Sequence, residues 1–228
     1  EQDARLKVNI YQEESKQVHF IGNKFFELSK GSNIKITTLN FKGEFVRNNF
    51  RVNLNGEHGE ATINGVFINE DKDHTDSRIL IKHNAPHCES FQTFKGILDG
   101  ESTAVFNGKV YVAEGAQKTN AFQSNKNILL SENAVINTKP ELEIYADDVK
   151  CSHGATCGQL DENAIFYAQT RGIPREKAKK LIVFAFAQEV VQAIDNEAFK
   201  NFMERRLVHN LGLAEYSTFD SVQSGIKE

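Results

Sequence analysis

The chain of 228 residues has no tryptophan, one methionine, three prolines and three cysteines. Three cysteines spread as Cys88, Cys151 and Cys157 do not describe a disulfide framework, so a reducing compartment, the cytoplasm, is the expected setting. The five residues between Cys151 and Cys157 are not zinc-finger spacing. Positive charge is not in excess either. The formal net charge is -4, so no basic field recruits nucleic acid or an anionic membrane. No apolar run approaches the length that spans a bilayer. The start, Glu1 to Arg5, has no apolar h-region of a signal peptide and no initiator Met, which leads us to expect a piece of a longer protein. Common enzyme signatures are also missing: Gly-x-Ser-x-Gly, the phosphate-binding Gly-x-x-x-x-Gly-Lys-Ser/Thr and His-Glu-x-x-His. The carboxylates are scattered, and Asp147-Asp148 reads as a solvated turn. An enzyme hydrolysing its own nucleotide is therefore not expected.

What is present is ordinary for a globular protein: 39% hydrophobic and 25% charged residues, with 17 phenylalanines. The chain has two textures. From about Leu6 to Val149 it shows short alternating runs, among them Val8–Tyr11, Ile34–Ile36, Phe50–Leu54, Ile79–Ile81, Val110–Val112 and Leu142–Tyr145. These are rich in β-branched and aromatic residues and predict strands. Asn55-Gly56, Asn64-Gly65, Asp99-Gly100 and Asn107-Gly108 lie between the runs as expected tight bends with positive φ. A sandwich or barrel and a parallel β-helix both fit. Phe41-Lys42-Gly43 and Phe94-Lys95-Gly96 form only a loose echo, where a solenoid is expected to show self-similarity.

From Asp161 the pattern becomes helical. Asp161 predicts an N-cap with Glu162 in the first turn, the helix running to Arg171 and closed by Gly172. Pro174 is expected as the first residue of the next helix, which carries Ala178, Leu181, Ile182, Ala185, Phe186 and Val190 as an apolar stripe. Phe184 and Phe186 fall on different faces, one for the core and one for contact. A third helix is expected from near Asp195, with Ala198, Phe199, Phe202, Met203 and Leu207, closed by Leu211-Gly212. The polar residues from about Tyr216 are expected to fray. The division is therefore a β core over residues 1–158 and a helical domain over residues 159–228.

Two segments carry candidate chemistry. In Lys150–Gly158, Cys151 and His153 face the same way if the segment is extended. A thiolate beside an imidazole suits iron or zinc, or a nucleophile pair; the plainer alternative is a small buried Cys and a His bonded to backbone. Between His74 and Cys88, the residues His74, His83, His87 and Cys88 look metal-like. However, Pro86 argues against the helix that would align His83 with His87, so internal hydrogen bonding is the expected role there, with His87-Cys88 a soft-ligand pair.

The run from Pro140 to Ile173, with Lys150-Cys151-Ser152-His153-Gly154-Ala155-Thr156 at its centre, resembles the SufB/SufD family of the SUF iron–sulfur cluster assembly system. His83–Cys88, Lys95–Gly100 and Gln123–Leu130 also fit, so the resemblance covers roughly the last two-thirds of the chain, and the central motif has the SufD-like form. The resemblance implies a mainly β fold: a right-handed parallel β-helix followed by a small C-terminal α-helical domain. It further implies a non-catalytic scaffold that pairs with a SufB-like subunit and docks a SufC-like ATPase on its C-terminal helices, with Phe166, Tyr167, Arg171, Gly172, Phe184 and Phe186 the expected docking residues. By motif, His153 and, more weakly, Cys151 carry the cluster-assembly interface and any metal contact. Cys157 stands where many relatives have an aliphatic residue. No cofactor is expected to be held stably; a transient iron–sulfur cluster shared with the SufB-like partner is. A homodimer of the chain alone is a further expectation. The reading from a different class is a carbohydrate-active β-helix enzyme, which rests on fold analogy and would need paired carboxylates.

Overall fold

A computed structural model describes residues 1–213, so the end expected to fray from Tyr216 lies outside the described residues. The chain divides into two compact units, Glu1–Gln159 and a second beginning at Leu160.

The first unit contains β1 (Arg5–Gln12), β2 (His19–Leu28), β3 (Asn33–Asn40), β4 (Phe45–Leu54), β5 (Glu60–Asn69), β6 (His74–His83), β7 (Glu89–Leu98), β8 (Thr103–Val112), β9 (Asn120–Leu129), β10 (Val135–Ile144) and β11 (Lys150–Gly158). Odd strands form a six-stranded sheet in the order β1-β3-β5-β7-β9-β11, and even strands a five-stranded sheet, β10-β8-β6-β4-β2. Strands that alternate between two sheets and pair only with the parallel strand one coil away make a parallel β-helix, which decides against the sandwich. Equivalent residues stack in straight files. Arg5, Asn33, Glu60, Glu89, Asn120 and Lys150 occupy one file, so a coil takes about 30 residues, within the range of repeats that build solenoids.

The inward positions form the core. Phe26, Val52, Ile81, Val110 and Leu142 make one such file, and Ile36, Ile63, Ile79, Phe94 and Phe106 pack across from the two sheets. Fully burying each such aliphatic or aromatic side chain stabilises the fold by about 1.5–3 kcal/mol.

The coils turn with little help from glycine. The residue two before each odd strand from β1 to β9 has a positive φ: Asp3 (55°), Gly31 (66°), His58 (59°), His87 (58°) and Lys118 (60°). Only one of the five is the glycine that this conformation favours, which is why the repeat was hard to find in the sequence. Of the four expected Asn-Gly and Asp-Gly bends, Gly100 alone has a positive φ, at 65°. Asn64-Gly65 and Asn107-Gly108 instead lie inside β5 and β8. Glycine is required there because a Cβ would come within 2.2 Å of the Phe94 ring at Gly65, and within 2.3 Å of Gln123 Nε2 at Gly108. The Phe-Lys-Gly echo is not structural either: Phe94 is in register with Gly65, and Gly65 with Thr38 rather than Phe41.

The second unit contains α1 (Glu162–Thr170), α2 (Arg175–Val191) and α3 (Glu197–Asn210). The Asp161 side chain caps α1 by accepting from Asn163 N, and Gly172 follows with φ 81°. Pro174 is the N-cap of α2, one position before the expected one, with ψ 145°. Its buried stripe runs through Ala178, Val183, Ala187, Val190 and Val191, while Ala185 is exposed and Leu181 and Ile182 are half-buried. An all-round supply of apolar residues in α2 left its inner face ambiguous by spacing alone. Asn196 caps α3 by accepting from Phe199 N, and Met203, Leu207 and Val208 bury its inner side. No helix among the described residues is long and apolar enough to cross a membrane.

Candidate functional site

Strand β11 is the last strand of the six-stranded sheet, and among the described residues it pairs only with β9. Cys151 is in register with Ala121, His153 with Gln123, Ala155 with Asn125 and Cys157 with Asn127. All four β9 residues are buried, so this is the inward set, and in-register parallel strands keep their side chains on one face. Cys151 and His153 therefore share a face, together with Cys157. Two residues along a strand are about 7 Å apart, and Cys151 to Cys157 is about 20 Å, so the three cannot bind a single ion. Among the described residues, no group of three or more His, Cys, Asp or Glu is placed to hold a metal.

The two members of the pair have different surroundings. Cys151 is half-buried and packs against the cluster of Val110, Val112, Ala116, Ala121 and Ala146. That burial pushes its thiol pKa up, opposed by a hydrogen bond with the Ala121 backbone, so the neutral thiol is favoured until a charge or metal compensates. His153 is exposed. Beneath the pair, the file that is apolar at Val8, Ile36 and Ile63 turns polar at Gln92 and Gln123. Gln123 Nε2 donates to Gln92 Oε1 at 3.0 Å. Asn127 Nδ2 donates to Asn125 Oδ1 at 2.7 Å and to the Thr156 carbonyl of β11 at 3.2 Å. This polar layer was not identified from sequence, because register alone brings Gln92, Gln123 and His153 together.

The His74–Cys88 segment does not make a ligand cluster. His83 is fully buried inside the coil, its Nε2 2.9 Å from Ser90 Oγ, and burial lowers its pKa to about 4. It is thus the internal group expected. His74 packs against Phe45 in a tilted pair with ring centroids 5.1 Å apart. The expected His87-Cys88 pair is split. His87 is exposed at the corner and stacks on His58, whereas Cys88 points inward, its Sγ donating to the Gly56 carbonyl at 3.2 Å. Adjacent residues at the start of a strand point to opposite sides.

On the helical unit, Phe166 and Tyr167 are 68% and 62% exposed on α1. The Arg171 guanidinium lies 5.3 Å from the centre of the Tyr167 ring and donates to its hydroxyl at 3.3 Å. Large aromatic groups displayed beside an arginine have the composition of interface anchors. Gly172 ends this helix, and Phe184 and Phe186 are both half-buried on α2 rather than divided between core and surface.

Residues 1–186 match the family described as SUF system FeS cluster assembly, SufBD core domain. The chain is 41% identical over 169 residues to the iron-sulfur cluster assembly protein SufD of Escherichia coli, covering 74% of this chain and 40% of that protein. It is 39% identical over 165 residues to an iron-sulfur cluster assembly SufBD family protein of Synechocystis, covering 72% and 36%. It is 28% identical over 173 residues to the SufD protein of Bacillus subtilis, covering 76% and 37%. The chain thus spans well under half the length of these relatives.

Proposed function

The chain belongs to the SufBD core family of the SUF iron–sulfur cluster assembly system, and from that premise we propose that it acts as a SufD-like, non-catalytic scaffold in the cytoplasm. It pairs with a SufB-like subunit along the open edges of β10 and β11, and a transient iron–sulfur cluster is built across that junction as cargo. His153 supplies a ligand from this side, with Cys151 behind it. A SufC-like ATPase docks on the helical unit at Phe166, Tyr167 and Arg171, with Gly172, Phe184 and Phe186 shaping that surface, and supplies the ATP-driven step.

The observation that carries this reading is the placement of Cys151 and His153 on the inward file of a terminal strand. An unpaired edge offers backbone donors and acceptors to a partner strand, and a partner there would bring further ligands to a pair that is incomplete by itself. The relatives, named as assembly proteins, favour a scaffold over the carbohydrate-active alternative. The same open edge would let the chain form a homodimer when no SufB-like subunit is present.

The test is cluster maturation in a reconstituted complex of full-length subunits carrying His153→Ala. Maturation should be lost while the complex still assembles. Normal maturation would remove His153 from the junction chemistry.

A further inference from the structure

We propose that Gln123 is a positioning residue that fixes the ring of His153. Gln123 is fully buried, and its Nε2 is committed to Gln92 Oε1 on the β7 side at 3.0 Å. The missing side chain of Gly108 lets this amide lie where a Cβ would be 2.3 Å from Nε2, so the amide has little room to move. Its other end, Oε1, is buried with no hydrogen-bond partner among the described residues. Nitrogen and oxygen of one amide point in diverging directions. With the nitrogen committed to Gln92 on β7, the oxygen is left for the other neighbour in register, His153 on β11. A strand spacing of about 4.8 Å separates the two backbones, a gap that an imidazole N–H spans.

The arrangement has a chemical consequence. A buried amide oxygen without a donor is costly, and an imidazole N–H satisfies it. The nitrogen bonded to Gln123 then keeps its proton, and the other presents its lone pair over the open edge. This is the neutral, oriented tautomer that a ligating histidine needs. Gln92 backs Gln123 from the next coil, so the three residues form one polar file across β7, β9 and β11. The inference deepens the role proposed for His153 and rests on that reading for its functional meaning, but the ring geometry can be tested separately.

The experiment is nuclear magnetic resonance of the His153 ring nitrogens at neutral pH in the full chain with isotope-labelled histidine. The wild type should show a single tautomer. Gln123→Met should release the ring into the mixture of both tautomers seen for free imidazole. A single tautomer persisting in folded Gln123→Met overturns the proposal. So does a mixture in the wild type, a result that stands even if the Met variant does not fold. Loss of maturation in His153→Ala together with an unchanged ring in Gln123→Met would sink this inference and leave the scaffold reading standing. Normal maturation in His153→Ala with a released ring in Gln123→Met would do the reverse.

Discussion

Acidification should destabilise the β-helix chiefly through His83, with half-buried His74, whose pKa burial also lowers, acting in the same direction. His83 is fully buried, and desolvation lowers its pKa from 6.5 to about 4. Below 6.5 the unfolded chain takes up a proton at this site that the native chain refuses until about 4. The unfolded state then binds more protons, so stability rises with pH across this window and is lost as pH falls from 6.5 towards 4. Worked at about pH 5, the unfolded side is favoured by a factor of roughly 30, a loss of about 2 kcal/mol relative to neutral pH. Replacing His83 with Gln keeps a polar group that can bond Ser90 Oγ but removes the titration. Urea unfolding of both proteins, followed by circular dichroism at about pH 7 and about pH 5, gives two differences whose own difference isolates His83. The variant should be less stable than the wild type at neutral pH, yet lose about 2 kcal/mol less on acidification. Equal losses would mean that His83 does not stay neutral inside the coil, and the reasoning would fail.

Two further outcomes are expected. Phe166→Ala with Tyr167→Ala should leave thermal unfolding unchanged, because both side chains are exposed, and should weaken binding to a SufC-like ATPase by at least about 2 kcal/mol in calorimetry if they are anchor residues; undiminished affinity would move the docking surface elsewhere. Alkylation of Cys151, followed by peptide mass spectrometry, should be slower at neutral pH than at exposed Cys157 and should accelerate as pH rises, since burial raises the Cys151 pKa. Equal neutral-pH rates would show that the Cys151 thiol is not held behind the Ala121 wall.

Local chemistry was enough to fix the helical unit and the strands. Asp161 caps α1 because a short acidic side chain reaches the amide two residues on, and alternation at Phe50–Leu54 needs no partner to be recognised. The run from Pro140 to Ile173 is distinctive enough to point to the family, and the Lys150–Thr156 motif at its centre makes Cys151 and His153 the candidate residues. The coil turns were a different matter. A left-handed φ at His58, His87 and Lys118 falls on residues other than the glycine that most favours it, and Gly65 and Gly108 read as bends because the close approach of Phe94 and Gln123 is invisible along the chain. The separation of His87 from Cys88 likewise needed the direction of each side chain at the corner. Above all, the file of Gln92, Gln123 and His153 joins residues about 30 positions apart, and only the parallel register of β7, β9 and β11 makes buried Gln123 the neighbour of the histidine. Sequence determines which groups are available; hydrogen-bonded register between distant strands determines which of them meet.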